Sequence, residues 1–377
     1  MFQEQTKKYK VLISPNSMKG SLDAYTFAEI ISSAFHSVSD LFETEMLPVG
    51  DGGDGTGEIL RRTLGYKKVE IFVHDPLKRK IKVSYGIKGD KAIIEMADAS
   101  GIKLLSSEER NPLKTSSIGT GELIMDAIDR GVKDITIGIG GSVTVDGGMG
   151  LLEGLGVIFY DDRGKQLSSS GLNVGKIDSW DDCSLKKLRG INIRVLCDVD
   201  NVLSGREGAV YFFAGQKGAA ADDFAVLEKN LLHFSEKIKE KKGYDLSGKK
   251  SMGAAGGINL ALVGFLNSVM VPGADTVLEC IGFKEHLKDV SLVITGEGKI
   301  DSQTNKGKAP YAVCCKAHKY GILVYAIGGQ VMQDGKKMFD RTYSLVNENI
   351  TAMDAIDNVK SLVFDRAVQA AKDFLYQ

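Results

Sequence analysis

Short apolar runs that end in glycine-rich or acidic segments recur along this 377-residue chain and constrain its fold most strongly. Val11–Ser14, Val290–Ile294 and Leu323–Ile327 are such runs, and nearly every position in them is apolar. Strands that are buried on both faces of a parallel sheet have this continuous pattern. Apolar residues with helical spacing then follow from Phe27 to Phe35. The chain therefore opens with a predicted βα unit.

The middle of the chain has a different pattern. Val69–Val73, Lys80–Tyr85 and Lys91–Met96 are short strand candidates separated by turn signals, which predicts an antiparallel meander. The fold class that follows is α/β, with two unlike α/β domains. We expect residues 1–66 and 286–377 to form a Rossmann- or flavodoxin-like parallel sheet from both termini. Residues 67–285 would form an inserted mixed α/β domain.

The bulk composition excludes several classes of protein. A net charge of −1 argues against binding to nucleic acid or to a membrane surface. The five cysteines lack C-x-x-C or Cys/His ligand spacing, which favours a reduced, cytoplasmic protein. The N-terminus lacks the pattern of a signal peptide. The longest apolar stretch, Ile258–Val271, is too short to span a membrane and is predicted to be a buried helix. A monomer and a homodimer are both compatible with the sequence.

Glycine is unusually frequent, with 44 residues that cluster where predicted strands end. Ligands of α/β sheets bind at the carboxyl ends of the strands. Five glycine-rich or acidic segments occupy such positions: Asn16–Ser21, Gly50–Thr56, Gly138–Gly148, Cys197–Asn201 and Thr295–Ser302. Together they supply what phosphoryl transfer needs, namely backbone amides for phosphate oxygens, a lysine, and carboxylates for Mg²⁺.

Each of these residues also has an ordinary structural interpretation. Lys19 can be a solvated surface charge, and acidic residues between glycines are common in turns and at helix caps. Asp198 and Asp200 are sharper candidates, because acids that close an apolar strand are disfavoured there. The chain has no Walker A motif, and Val143 interrupts a G-x-G-x-x-G match in Gly138–Gly148. A nicotinamide-dependent oxidoreductase is therefore disfavoured, and no nucleophile motif favours a Ser or Cys hydrolase.

Eight motifs follow one another along the chain: Ser14–Leu22, Asp51–Thr56, Gly119–Leu123, Gly138–Gly148, Cys197–Asn201, Gln216–Ala219, Gly253–Gly257 and Ile294–Gly298. They occur in the order seen in the bacterial glycerate kinases, and the chain resembles the type I family of these enzymes. The resemblance extends from Val11 to about Asn347. The resemblance implies ATP-dependent phosphorylation of D-glycerate by two unlike α/β domains with the site between them. Departures from the family pattern are Asn16 for Asp, Asp54 for Glu, Val145 for Asn and Ala214–Gly215 for Gly-Pro.

The residues and the resemblance together lead to a specific hypothesis about the site. We expect ATP and Mg²⁺ as cofactors and D-glycerate as the substrate, with 2-phosphoglycerate favoured over 3-phosphoglycerate as the product. The expected catalytic residues are Lys19, Asp51, Asp146 and Asp198. The expected metal ligands are Asp198, Glu297 and Asp301. The expected phosphate contacts are Gly20, Ser21, Gly52, Gly53, Gly140, Gly141, Ser142, Gly296 and Gly298.

Two alternatives to this hypothesis remain open. A kinase of another small hydroxy-acid would differ only in its substrate pocket. A non-catalytic two-domain sensor of an anionic metabolite would need glycine loops and a lysine. It would not need clustered carboxylates, which repel an anion unless a metal is present.

Overall fold

The computed structural model describes residues 8–305 and 307–377, and the chain folds into two compact units. Unit 1 contains the described residues up to Asp51, together with Glu58–Leu64 and Pro272–Gln377. Unit 2 contains Gly52–Gly57 and Gly65–Val271. The main changes between units fall at 64/65 and 271/272, whereas the predicted domain boundaries lie at 66/67 and 285/286. The N-terminal segment that lacks a signal-peptide pattern lies largely outside the described residues.

The secondary structure alternates between strands and helices over most of the described chain. The strands are β1 (Tyr9–Ile13), β2 (Phe42–Met46), β3 (Lys67–His74), β4 (Lys80–Lys88), β5 (Lys91–Glu95), β6 (Asp134–Gly138), β7 (Ile158–Tyr160), β8 (Gln166–Leu167), β9 (Ser179–Asp181), β10 (Asn192–Leu196), β11 (Val269–Val271), β12 (Val290–Ile300), β13 (Leu323–Val331) and β14 (Arg341–Ser344). The α-helices are α1 (Ala24–Val38), α2 (Thr56–Leu64), α3 (Met96–Ser100), α4 (Ile118–Asp129), α5 (Met149–Gly154), α6 (Ala209–Phe213), α7 (Ala221–Lys242), α8 (Asn259–Leu266), α9 (Gly273–Cys280), α10 (Phe283–His286), α11 (Ala309–His318), α12 (Ala352–Asp357) and α13 (Val359–Leu375).

Unit 1 is built on a fully parallel sheet with the strand order β14-β13-β12-β1-β2. Numbered along unit 1, this is the 2-1-3-4-5 order of flavodoxin-like folds. The chain leaves β1 toward one edge of the sheet and leaves β12 toward the other edge. The carboxyl ends of β1 and β12 therefore flank the topological switch point, where open α/β sheets bind their ligands. The predicted parallel sheet is confirmed.

Helix α1 shows how the local sequence builds this unit. It begins after Asp23, whose carboxylate accepts hydrogen bonds from the backbone N–H groups of Tyr25 and Thr26. Phe27 and Phe35 lie on its buried face and join the core of unit 1. Burying an aromatic or branched side chain of this size contributes about 1.5–3 kcal/mol.

Unit 2 has a mixed six-stranded sheet with the order β11-β10-β6-β5-β4-β3. Strands β3, β4 and β5 pair antiparallel, as the meander predicted, whereas β5, β6, β10 and β11 pair parallel with their neighbours. Glu95, Gly138 and Leu196 lie in register at the carboxyl ends of β5, β6 and β10. Ligand-bearing loops of unit 2 are expected along this edge. A second, three-stranded sheet has the order β8-β7-β9.

Two sequence predictions about secondary structure were wrong. Ile258–Val271 is not one helix, because Asn267 takes a left-handed conformation (φ 51°) that ends α8, and β11 follows. Thr295–Ser302 is not a loop after a strand, since β12 continues to Ile300 and its pairing with β13 extends to that residue. Among the described residues, no helix is both long enough and apolar enough to cross a membrane.

Candidate active site

The switch point of unit 1 brings three of the predicted segments together. The Asn16 backbone N–H donates to the Gly296 carbonyl oxygen at 2.8 Å, and the Thr295 hydroxyl donates to the Ser14 carbonyl oxygen at 2.8 Å. The side-chain amide of Asn16 donates to a carboxylate oxygen of Asp51 at 3.1 Å. Although Asn16 replaces an acid of the family pattern, it therefore orients Asp51.

Lys19 is exposed in the loop between β1 and α1. A Cβ atom added at Gly298 would lie 3.7 Å from the Lys19 backbone nitrogen, so the lysine loop passes beside β12. Gly20 has a left-handed conformation (φ 83°), and the Ser21 hydroxyl donates to the Met18 carbonyl oxygen at 3.1 Å. Gly20 and Ser21 thus form a tight turn before α1, where the Asp23 carboxylate already accepts two backbone hydrogen bonds.

Glu297 is a buried carboxylate within β12, only 6% exposed. It accepts a hydrogen bond from the Thr304 hydroxyl at 2.7 Å and pairs with the Lys308 ammonium at 3.4 Å. Burial raises the pKa of Glu297, the Lys308 charge opposes that shift, and the Asp51 carboxylate adds to it. Asp51 and Glu297 are therefore electrostatically coupled at the switch point.

The remaining predicted residues of unit 1 have clear structural surroundings. Asp301 follows β12, pairs with Lys299 at 3.3 Å, and accepts a hydrogen bond from the Gln303 backbone N–H at 2.9 Å. Gly296 is buried in β12, where any side chain would collide with the Ile327 carbonyl oxygen. Close packing accounts for glycine at position 296, and its predicted phosphate contact stays a prediction.

The segment Gly52–Gly57, called the Gly52–Gly57 loop here although its last two residues begin α2, lies against the carboxyl edge of the unit 2 sheet. The Gly140 backbone N–H donates to the Gly52 carbonyl oxygen at 3.3 Å. A Cβ atom at Gly140 would lie 2.5 Å from the Gly53 Cα, and one at Gly52 would lie 2.8 Å from the Leu196 Cβ. Only glycine permits so close an approach of the two loops. The structure thus brings Gly52, Gly53 and Gly140 together.

Asp146 is buried inside unit 2, with 1% of its surface exposed. Its carboxylate accepts hydrogen bonds from the Ser117 backbone N–H (2.7 Å), the Ser117 hydroxyl (2.8 Å), and the backbone N–H groups of Gly148 (3.2 Å) and Gly150 (3.1 Å). Burial raises the pKa of Asp146, and these four donors oppose the shift. They also link the starts of α4 and α5 through a single carboxylate.

Lys217 was not predicted as a site residue, although it lies in a motif that carried the family resemblance. It is 3% exposed, and its ammonium donates to the Ser142 hydroxyl and to the Thr144 carbonyl oxygen, both at 2.8 Å. Burial lowers the pKa of Lys217 to about 7, and the nearby Asp146 carboxylate opposes that shift. Lys217 therefore holds the glycine-rich segment after β6 in place through two hydrogen bonds. Nothing in the sequence indicates that this lysine is buried.

Glu95 is a second residue that the sequence prediction missed. It is the last residue of β5, it is 8% exposed, and burial raises its pKa to about 8. Asp98 adds to that shift through its negative charge. Asp198 drew attention because it is an acid at the end of an apolar strand. Glu95 has the same position at the end of β5 and could have been found in the same way.

The sequence model of the glycerate kinase family matches residues 11–375 of the chain. The chain belongs to the glycerate kinase family. It is a kinase, and its α/β fold is shared with a protein assigned as glycerate kinase 2 from Salmonella typhimurium LT2. That crystal structure superposes with a TM-score of 0.82 at 36% identity, covering 98% of this chain and 99% of the other.

The names of similar proteins agree with this family assignment. The chain is 39% identical to a glycerate kinase of Bacillus subtilis over 356 residues, which cover 93% of each protein. It is 37% identical to a glycerate 2-kinase of Escherichia coli over 367 residues, covering 97% of this chain and 96% of the relative.

The described acidic residues of this chain do not form a preformed metal-binding site. Within residues 8–305 and 307–377, no three His, Cys, Asp or Glu side chains are grouped to hold a metal ion. Asp198 is half-buried after β10 in unit 2, whereas Glu297 and Asp301 belong to unit 1. Mg²⁺ in kinases is usually held by one or two carboxylates together with nucleotide phosphates, so these oxygen donors still suit it.

Proposed function

We propose that this kinase transfers the terminal phosphoryl group of ATP to D-glycerate in the cytoplasm. The observation that carries the proposal is the electrostatic coupling of Asp51 and Glu297 at the switch point of unit 1, where the loop that carries Lys19 passes beside β12. A lysine and two carboxylates there match the needs of phosphoryl transfer, in which positioning and electrostatics do most of the work. The names of the Bacillus subtilis and Escherichia coli relatives support glycerate as the acceptor.

Asp51 is the residue that we propose to orient the attacking hydroxyl and to accept its proton. Asp51 is half-buried, and Asn16 holds one of its oxygens by a hydrogen bond. Asp146 is less suited to this task, because its oxygens already accept four hydrogen bonds from their own chain. Lys19 would neutralise charge on the transferring phosphoryl group or on the glycerate carboxylate.

ATP and Mg²⁺ belong to the same proposal. In unit 2, backbone N–H groups of the loops around Gly53 and Gly141 are the candidates for contacts to phosphate oxygens, and Asp198 is a candidate Mg²⁺ ligand. In unit 1, the candidates are the backbone near Gly298 for phosphate, and Glu297 and Asp301 for Mg²⁺. When bound, Mg²⁺ neutralises charge on the phosphates and aligns them.

Purified protein should release ADP from ATP only when D-glycerate and Mg²⁺ are both present. EDTA should abolish the release and excess Mg²⁺ should restore it, because carboxylates tolerate the charge of ATP only through a metal. A coupled assay of ADP formation measures this, with D-lactate and glycolate as competing hydroxy-acids. ADP release that ignores glycerate would contradict the proposal, and preference for another acid would reassign the substrate. ATP binding without turnover would indicate a sensor.

We further propose that the 2-hydroxyl is phosphorylated. The 2-hydroxyl is adjacent to the carboxylate, so one cluster of Lys19 and loop amides could hold both the acid and the phosphoryl group. The glycerate 2-kinase of Escherichia coli supports this choice by its name. Proton-coupled ³¹P NMR of the first product should show a doublet from the C2 methine. A triplet-like signal from the C3 methylene would keep the kinase and overturn its regiochemistry.

A further inference from the structure

The carboxyl group of Glu95 lies buried where β5 ends in unit 2. Its oxygen Oε1 is enclosed and has no hydrogen-bond partner among the described residues. Leaving a buried polar atom unpaired destabilises the folded state, and more so if the atom is charged. Native proteins keep few such atoms, and a retained one calls for an explanation. None of the roles assigned above uses Glu95.

The other side of this carboxyl group faces the loop Gly52–Gly57. A Cβ atom at Gly57 would lie 2.6 Å from the Glu95 Cγ and 3.0 Å from its Cδ, so only glycine lets the side chain lie against the loop. The backbone N–H groups of Gly57 and Gly55 lie within hydrogen-bonding reach of the carboxyl group. Glu95 therefore attaches the loop to the end of β5.

The charges around Glu95 favour its neutral form. Asp98 on α3 and Asp54 in the loop both place negative charge near it. The Asp54 carboxylate is itself paired with the Lys103 ammonium. An ionised Glu95 would add a third carboxylate, buried and with one oxygen lacking any donor. A neutral carboxyl group avoids the cost of burying that charge, as it does in enzymes that keep a buried acid protonated at neutral pH.

We propose that Glu95 is a positioning residue that, as a neutral carboxylic acid, holds the Gly52–Gly57 loop against the carboxyl ends of β5, β6 and β10. One oxygen accepts hydrogen bonds from the loop backbone, and the other carries the proton. Loss of that proton places a third negative charge beside Asp54 and Asp98 and pushes the loop away from β5. The catalytic consequence rests on the proposed function, in which this loop contacts ATP.

Glu95→Gln tests the proposal, because an amide has the same shape and cannot ionise. At pH 7 we expect its kcat/KM for ATP to stay within about threefold of wild type. Above pH 8, the ratio of variant to wild type should rise roughly tenfold per pH unit, since only wild type loses the neutral form. Lys217 titrates in both proteins and cancels in this ratio. Glu95→Ala removes the acceptor and should raise KM for ATP at every pH.

A hundredfold loss at pH 7 in Glu95→Gln would show that the ionised form is required and would overturn the proposal. A ratio that does not change with pH would also overturn it. Infrared spectroscopy supplies a readout independent of turnover. The wild-type protein at pH 7 should show a protonated-carboxyl C=O band that is missing in Glu95→Gln and disappears in wild type by pH 9.5. If wild type lacks glycerate-dependent ADP release, the proposed function fails, and absence of this band would separately refute the neutral Glu95.

Discussion

Replacing Lys217 by methionine should destabilise the protein by about 2–4 kcal/mol at pH 7 and lower kcat/KM roughly a hundredfold. The substitution leaves the Ser142 hydroxyl and the Thr144 carbonyl oxygen without their buried donor, at about 1–3 kcal/mol each. It also removes a cation whose charge interacts with the buried Asp146 carboxylate. Activity should fall because a glycine loop displaced by about an ångström misplaces its ligand. Denaturant unfolding and steady-state kinetics measure the two effects.

The pH dependence of this stability difference has a definite sign. Burial lowers the Lys217 pKa from 10.5 to about 7, so between these values the unfolded chain holds a proton that the folded chain has released. The contribution of Lys217 to wild-type stability therefore rises with pH in that window, by up to about 1.4 kcal/mol per unit. The gap between wild type and Lys217→Met should widen from pH 7 to pH 9. Lys114→Met, at an exposed lysine of the same unit, should change stability by less than about 0.5 kcal/mol. Equal effects of the two substitutions would refute the structural role of Lys217.

Replacing Lys19 by alanine should lower kcat/KM by on the order of a hundredfold, as does the loss of other electrostatic stabilisers. The side chain is exposed in the loop after β1, so the free energy of unfolding should change by less than about 0.5 kcal/mol. Kinetics with D-glycerate and ATP, together with thermal unfolding, separate activity from stability.

Lys319→Ala is the matched control for this substitution. Lys319 is an exposed lysine of unit 1 that follows α11. It should leave both activity and stability unchanged. Near-normal turnover by Lys19→Ala would return Lys19 to the ordinary interpretation of a solvated surface charge.

The periodic patterns of the sequence predicted the strands well where the signal is local. The continuous apolar runs at Val11 and Leu323 became strands of a parallel sheet, and the meander from Val69 became the antiparallel half of the second sheet. The prediction that β12 ends before Thr295–Ser302 was wrong. It followed from the glycines of this segment, which are unfavourable in strands. In the structure β13 supplies ladder partners to Gly296 and Glu297, which extends β12 beyond its apolar run.

Prediction of the candidate site from the sequence was limited in a similar way. The glycine-rich and acidic segments led to the prediction of Lys19, Asp51 and Glu297 as site residues, because phosphoryl-transfer chemistry needs those residue types near strand ends. The same reasoning did not find Lys217 or Glu95. Lysine and glutamate are usually exposed, and the letters carry no sign that these two are enclosed.

The sequence alone determined the α/β class and the glycerate kinase family, since hydrophobic periodicity and the order of motifs are properties of the linear chain. Tertiary structure alone decided which charges are buried and which loops meet. Asp146 binds four donors, Lys217 holds the segment after β6, and Glu95 lies against Gly57 because parallel strands distant in sequence end at one edge of a sheet. Burial and the partners brought there set the pKa of each group, and neither can be read from neighbours along the chain.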